Sequence, residues 1–379
     1  MLVYALIIIL LIYGIHNFDI HKAKRGSTGF FYLVLICLIL VTGLQNEWGK
    51  GDFYAYMLDY SDYVPIGQLN INELVLGGRL QPLWVILVGF IKSINPSYEF
   101  FIFCHSIIIN TIYLSFIRKN TKYVYSTIAI FILTMNYFMV NLEVQRESLA
   151  VCIFLMSLNS LMKKHYVFYY ILTVIAFLFH VSALFMVFVP MLMPLIKNLG
   201  QKKMILLIIG LLVGITYLPS LFQIHLIGDI TALQGALEQA NYYASLDSNF
   251  TNTLTLSIFE ASSCVLLLYI YIKSKKDKNV FLLLLIMEIF VVFGNSFVPG
   301  LYRIRNYTMI PVYVVIAQLT FDTAIKYKKI VLIFYLFFTV STLYSLKRPA
   351  PYIGPDKYRY NMWLPYRSIF DEPSNSYLY

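Results

Sequence analysis

The chain has 379 residues, of which 59% are hydrophobic and only 13% charged, with a formal net charge of +10. A soluble domain is about half apolar and about a quarter charged, so this apolar excess excludes an ordinary water-soluble core and makes lipid the solvent. The positive charge does not point to nucleic acid, because basic residues of membrane proteins gather in cytoplasmic loops and set orientation.

The first apolar run, Leu2 to Ile15, has no basic residue before it and no small-residue cleavage site after it. It therefore reads as a retained first helix, not a signal peptide. A span needs about 20 mostly apolar residues, and on that measure crossings fall at roughly 2–18, 30–44, 98–117, 123–141, 147–162, 166–179, 182–197, 203–219, 256–272, 280–297, 302–322 and 329–346. The expected fold is an all-α polytopic transmembrane bundle of about 12 spanning helices, forming one integral membrane domain over 1–379.

Charge supports this layout. Lys22, Lys24 and Arg25; Arg118, Lys119 and Lys122; Lys163 and Lys164; Lys197, Lys202 and Lys203; Lys273, Lys275, Lys276 and Lys278; and Lys326, Lys328 and Lys329 all fall on one side. These six short loops hold 18 of the 29 basic residues, so the positive-inside rule makes that side cytoplasmic. Both termini, the loops 45–97 and 220–255, and the tail 347–379 are then extracytoplasmic. The scheme requires the segment near 80–94, bounded by Gln81-Pro82 and Asn95-Pro96, to be re-entrant or interfacial. If it spans, the basic loops downstream face the wrong way. Within 220–255, Thr231 to Tyr243 could form an amphipathic lid.

The four cysteines (Cys37, Cys104, Cys152 and Cys264) lie in or beside apolar runs with no CxxC pair, and read as small core residues. The 32 Tyr and 29 Phe suit both headgroup-level belts and stacking on sugar rings. No GxxxxGK[ST] loop, HExxH or DxD occurs, so nucleotide and zinc hydrolysis have no support and no metal or cofactor is expected.

Ionisable groups at membrane depth are costly and mark functional sites by default. Four places qualify. Asn141 to Ala150 opens a helix at the outer face and carries Arg146 between Glu143 and Glu147. One reading is a self-neutralised helix start, with Glu143 and Arg146 on one face; the other is a guanidinium aimed at phosphate. His180, in Phe179-His180-Val-Ser-Ala183, sits at a tight outer turn inside a long apolar stretch. It is either a satisfied structural histidine or a proton acceptor for a sugar hydroxyl. Arg303 and Arg305 break the outside-negative pattern and suit an anionic ligand or lipid headgroups. Asp52 and Tyr56, four apart in the first outer loop, share a face if that loop is helical. Alternatively the loop is merely an interfacial amphipathic helix. Glu288 lies deep in an apolar run without an assigned role.

These pieces, in this order, resemble the EpsG family of Wzy-like polysaccharide polymerases along nearly the whole chain. The matching segments are Gly43-Leu44, Gly51-Asp52-Phe53 with Tyr56, Gln145-Arg146 with Leu149-Ala150, Lys163-Lys164, Phe179 to Leu184, Arg303 to Asn306, and Leu364 to Phe370 with its Pro-Tyr-Arg367. Gln45 stands where such proteins often carry an arginine, and Arg79-Leu-Gln-Pro82 replaces a more usual acidic residue. The resemblance implies a polyprenyl-pyrophosphate-linked oligosaccharide as donor and acceptor, in a glycosyltransferase of the inner (cytoplasmic) membrane whose site faces outward. It implies pyrophosphate binding by Arg146 and Arg303, with Arg305 and Arg367 as further contacts. His180 becomes the catalytic base or orienting group, Asp52 its competitor, and Tyr56, Glu143 and Arg79 complete the substrate-binding set. Implied partners are membrane lipid and a chain-length regulator and flippase of the same capsule, O-antigen or exopolysaccharide pathway. Rival readings are a lipid-linked oligosaccharide flippase or transporter, a metal-dependent polyprenyl-phosphate-sugar glycosyltransferase, and a membrane acyltransferase.

Overall fold

A computed structural model of the chain describes residues 2–45, 52–70, 81–134, 136–197, 210, 250–273, 279–295, 301–322 and 368–370. The expected crossings near 203–219 and 329–346, the lid segment Thr231 to Tyr243, and the side chains of Arg79 and Arg367 lie outside these residues. The described chain is helical, with no strand beyond one isolated bridge. It divides into two compact units, residues 1–184 with 332–379, and residues 185–331.

In the first unit the apolar run at the N-terminus forms α1, Leu2–Gly14, and continues as a π-helical segment, Ile15–Ile20. α2, Ser27–Gly43, follows a left-handed Gly26. The stretch after α2 contains α3, Asp52–Asp62, and a 3-10 turn at Ile66–Gln68. α4, Pro82–Ile94, starts with its proline in the first turn, where the missing N–H costs nothing. α5, Tyr98–Asn120, is capped by Ser97, whose hydroxyl accepts from the Phe100 N–H at 3.2 Å. Glu99 in its first turn and Arg118 and Lys119 in its last complement the helix dipole. α6, Val124–Leu133, and α7, Asn136–Leu142, bend by 75° from one another. α8, Gln145–Met162, and α9, Tyr166–Phe179, form an antiparallel hairpin. A 3-10 segment, Val181–Phe188, comes next.

α5 is the hub of this unit. It packs against α2, α4, α6, α7 and α8, while α9 packs against α8 and α4. Gly43 permits the α2–α5 approach, since a Cβ there would meet Phe103 at 2.9 Å and Ser106 at 3.2 Å. Beside it a buried polar cluster joins three helices. Thr42 Oγ1 and Ser106 Oγ are 2.7 Å apart, and Asn110 Nδ2 donates to the Asn141 carbonyl oxygen Oδ1 at 3.1 Å. The Tyr137 hydroxyl lies 2.8 Å from Asn110 Oδ1 and 3.0 Å from the Leu38 carbonyl. At the opposite end of α5, buried Asp19 accepts from the Ser126 N–H at 2.6 Å and the Ser126 hydroxyl at 2.7 Å. The carboxylate thus caps the N-terminus of α6 from a distant part of the sequence.

The second unit contains α10, Val189–Lys197, α11, Phe250–Lys273, α12, Asn279–Gly294, and α13, Tyr302–Asp322. α12 packs against α10, α11 and α13.

Among the described residues, two helical stretches are long and apolar enough to cross a membrane, Leu2–Ile20 and Tyr98–Asn120. The bent α6–α7 pair makes a third if it is one broken span. The described residues therefore do not confirm the roughly 12 crossings expected from sequence. Ser27–Gly43, Pro82–Ile94, Tyr166–Phe179, Val181–Pro194 and Val280–Gly294 are apolar but shorter. At about 1.5 Å per residue a 13-residue helix such as α4 covers roughly 20 Å, less than a hydrocarbon core of about 30 Å.

Candidate functional site

The chain breaks at Glu143 and Val144, and α8 restarts at Gln145 without a side-chain cap. Two structures form around this restart. The first is an aromatic clamp. Arg146 Nε donates to Tyr56 Oη at 3.2 Å, and its guanidinium lies 5.1 Å from the centre of the Tyr56 ring. Tyr56 leans on Trp84, with ring centres 5.7 Å apart, and Trp84 Nε1 donates to Tyr63 Oη at 3.0 Å. Gln145 Nε2 donates to Tyr98 Oη at 2.8 Å, and that hydroxyl donates to the Phe53 carbonyl at 3.4 Å. The segment bearing Asp52 and Tyr56 is thus helical, and α3 is fastened to the start of α8 through Phe53 and Tyr56.

No salt bridge joins Arg146 to a carboxylate among the described residues. The self-neutralised helix start, one of the two readings open from sequence, is not what the structure contains. Arg146 is half-buried and held by a phenol, and a guanidinium stays charged in that setting. Asp52 opens α3, one turn before Tyr56.

Other residues support this clamp. Lys92, in the last turn of α4, donates to the Tyr60 and Ser61 carbonyls at 2.8 and 3.1 Å, satisfying acceptors at the end of α3. Its ammonium lies 4.9 Å from the Tyr60 ring centre. Burial, with lesser contributions from Cys104 and Glu99, pushes the Tyr60 phenol up to about 12, so it stays neutral. Behind Gln145, buried His105 Nε2 lies 3.1 Å from the Gln145 carbonyl. A carbonyl only accepts, so Nε2 carries the proton.

The second structure is a chain of three buried side chains. Glu147, next to Arg146, accepts from Ser182 Oγ at 3.2 Å, and Ser182 Oγ is 2.7 Å from His180 Nδ1. Relative exposures are 1% for Glu147, 5% for Ser182 and 7% for His180. Arg146 and the His180 chain therefore start from consecutive residues of one helix turn.

Arg303 and Arg305 belong to the second unit, in the first turns of α13. Arg303 is half-buried. Arg305 Nε donates to Glu288 at 3.0 Å and Nη2 donates to Glu260 at 3.2 Å. Thr308 Oγ1 donates to the other Glu288 oxygen. This accounts for Glu288, which had no role from sequence. The ionised trio carries one excess negative charge, so an anionic ligand would compete there with two carboxylates.

Of the residues proposed from sequence, the structure brings Arg146 and Tyr56 into contact, and links His180 to the residue beside Arg146. Glu143 sits half-buried at the break before α8. Arg79 and Arg367 are not described, although the chain just after Arg367 is. There Gln45 pairs with Ser368, and the Ile369 N–H donates to the Leu44 carbonyl at 2.9 Å. Sequence reasoning missed Glu147, Ser182, Trp84, Tyr98 and Glu260. Their partners lie 21 to 47 positions away: Trp84 from Tyr63, Glu147 from Ser182, Glu260 from Arg305 and Tyr98 from Gln145.

Apolar helices of this kind, with charge confined to a few built clusters, define an integral membrane protein. The model of the EpsG family matches residues 29–375, so the chain belongs to the EpsG family, whose setting is polysaccharide biosynthesis at the membrane. No curated protein and no solved structure matches it.

Proposed function

We propose that the chain is a repeat-unit polymerase of the exopolysaccharide, capsule or O-antigen kind. It transfers a glycan from polyprenyl pyrophosphate to the next lipid-linked repeat unit at the outer face of the cytoplasmic membrane. Family membership supports a lipid-linked oligosaccharide substrate. The observation that carries the chemistry is Arg146, a guanidinium without a carboxylate partner among the described residues, one residue from the buried Glu147–Ser182–His180 chain.

In the reaction, an acceptor hydroxyl oxygen attacks the anomeric carbon of the donor sugar. The bond from that carbon to the pyrophosphate oxygen breaks, and polyprenyl pyrophosphate leaves with the electron pair. The hydroxyl proton must go to a base. Arg146 stabilises the growing charge on the pyrophosphate. His180 takes the proton, with Asp52 as the competing base. Tyr56 orients Arg146 and offers a ring face to sugar, with Glu143 and Arg79 as further sugar contacts. The family motif adds Arg367 as a further phosphate contact, while Arg303, and Arg305 to the extent that Glu260 and Glu288 release it, are anion-binding candidates within the second unit.

The test is reconstitution of the purified chain with a polyprenyl-pyrophosphate-linked repeat unit and a chelator. A ladder of lengthened glycans, lost in Arg146→Ala, is the expected result. An intact unit left unextended by folded protein would overturn the reading. Buried Glu288, paired with half-exposed Arg305 in the second unit, favours one second reading, a flippase. In that case the unit would change leaflet without changing length.

A further inference from the structure

The Arg305 cluster in the second unit has an open edge. The Arg305 Nε donor meets Glu288 at 3.0 Å, one Nη2 donor meets Glu260 at 3.2 Å, and Thr308 takes the other oxygen of Glu288. A guanidinium has further donors on its second amino group. Those Nη1 donors and the second carboxylate oxygen of Glu260 are uncommitted among the described residues. Glu288 is shut in, its side chain 4% exposed, but the side chains of Arg305 and Glu260 are 35% and 29% exposed. Charge facing lipid is costly, so in helices this apolar the open edge of the pair faces water. One position along, Asn306 is 2% exposed and its Nδ2 donor has no hydrogen-bond partner. A buried donor in that state calls for an acceptor from water or a ligand.

Charge decides what fits the edge. An anion meets a trio with one excess negative charge. A cation drawn to the uncommitted Glu260 oxygen meets the guanidinium held 3.2 Å from that carboxylate. A neutral ligand with neighbouring hydroxyls uses both groups, since one hydroxyl donates to Glu260 while the next accepts from Arg305. We propose that Glu260 and Arg305 form a glycan-binding site in the second unit that takes two neighbouring hydroxyls of a neutral sugar. Glu288 and Thr308 hold the guanidinium in place for it. The site goes beyond the polymerase reading, because a flippase would have to grip the same glycan.

The experiment uses the wild-type full chain in detergent and the repeat-unit glycan freed of lipid and phosphate. Carbodiimide amidation of carboxylates, followed by mass spectrometry, is expected to mark Glu260 in the free protein. Glycan at about ten times its Kd should slow that marking roughly 10-fold, and inorganic pyrophosphate and sodium ion should not. A Glu260 that is unmarked in the free protein, unprotected by glycan, or protected equally by pyrophosphate or sodium would sink the site. Calorimetry in an Arg146→Ala background then isolates this edge from the clamp. There Glu260→Gln should weaken glycan binding about 10-fold. It should also strengthen pyrophosphate binding, because the trio loses its excess negative charge while Arg305 keeps Glu288. Equal glycan affinity with and without Glu260→Gln would count against the site. Neither measurement involves turnover, so a protein that makes no ladder yet shields Glu260 with glycan keeps this site and loses only the polymerase reading.

Discussion

Arg146 owes its charge to where its neighbours point. Two glutamates flank it within three positions, yet Glu147 is turned to Ser182 and no carboxylate reaches the guanidinium among the described residues. Removing it should therefore cost chemistry more than stability. Arg146→Ala is expected to lower polymerisation by about 10²–10³-fold, the usual cost of one donor to a developing oxyanion. Arg146→Lys should recover little, because an ammonium lacks the paired donors and the flat face that lies on Tyr56. Tyr56→Phe keeps the ring and loses the 3.2 Å hydrogen bond, so its effect should be about 10-fold or less. Rates from the reconstituted ladder assay check all three. At this scale Arg146 and His180 stand out in the sequence as candidates because an ionisable group in an apolar run is rare. Glu147 and Ser182 were not readable. A glutamate beside an arginine looks like its counter-ion, and a serine 35 positions away gives no sign of being its partner.

Helices in this protein are held together by a few buried polar junctions, and those junctions explain where sequence-based boundaries moved. The run expected as one crossing near 2–18 is one helical stretch, Leu2–Ile20, whose π-helical end places Asp19 to cap α6 through Ser126. The crossing expected near 123–141 breaks into α6 and α7, and α7 delivers Tyr137 and Asn141 to the Thr42–Ser106–Asn110 cluster. Hydropathy measures length and apolarity and is blind to both contacts. Asn110→Leu should lower the unfolding free energy in detergent by about 2 kcal/mol, since Tyr137, Asn141 and Thr42 lose a shared partner without water to replace it. In the second unit, Arg305→Met strands Glu288, which is 3% exposed, and should cost about 2–4 kcal/mol. The double change Arg305→Met with Glu288→Gln should recover part of that loss. Thermal unfolding of wild type, Arg305→Met and the double variant decides whether the ion pair is structural. Equal stability in all of them would return Arg305 to the pool of free phosphate ligands.

Within the first unit the whole arrangement has two chemically different ends. The starts of α5 and α8 lie together, joined by Gln145 and Tyr98, and with them come α3 and the turn at His180. The ends of the same two helices carry Arg118, Lys119, Lys163 and Lys164. Arg118 Nη2 donates to Thr28 at the start of α2 at 2.9 Å, while the other end of α2 receives the tail through Leu44 and Ile369. Charge asymmetry of this kind sets orientation, so the basic end is predicted to face the cytoplasm and the clamp to face outward. Phe370, 79% exposed beside the tail bridge, and exposed Lys119 report the two ends. None of the four native cysteines is in a disulfide, so replacing them leaves a background for single-cysteine labelling. Phe370→Cys should react with a membrane-impermeant thiol reagent in intact cells, and Lys119→Cys only after the membrane is opened. The reverse pattern would turn the clamp inward and remove the outer-face polymerase. Labelling of both positions from outside would mean that α5 does not cross, although its 23 residues reach about 34 Å, enough for the hydrocarbon core.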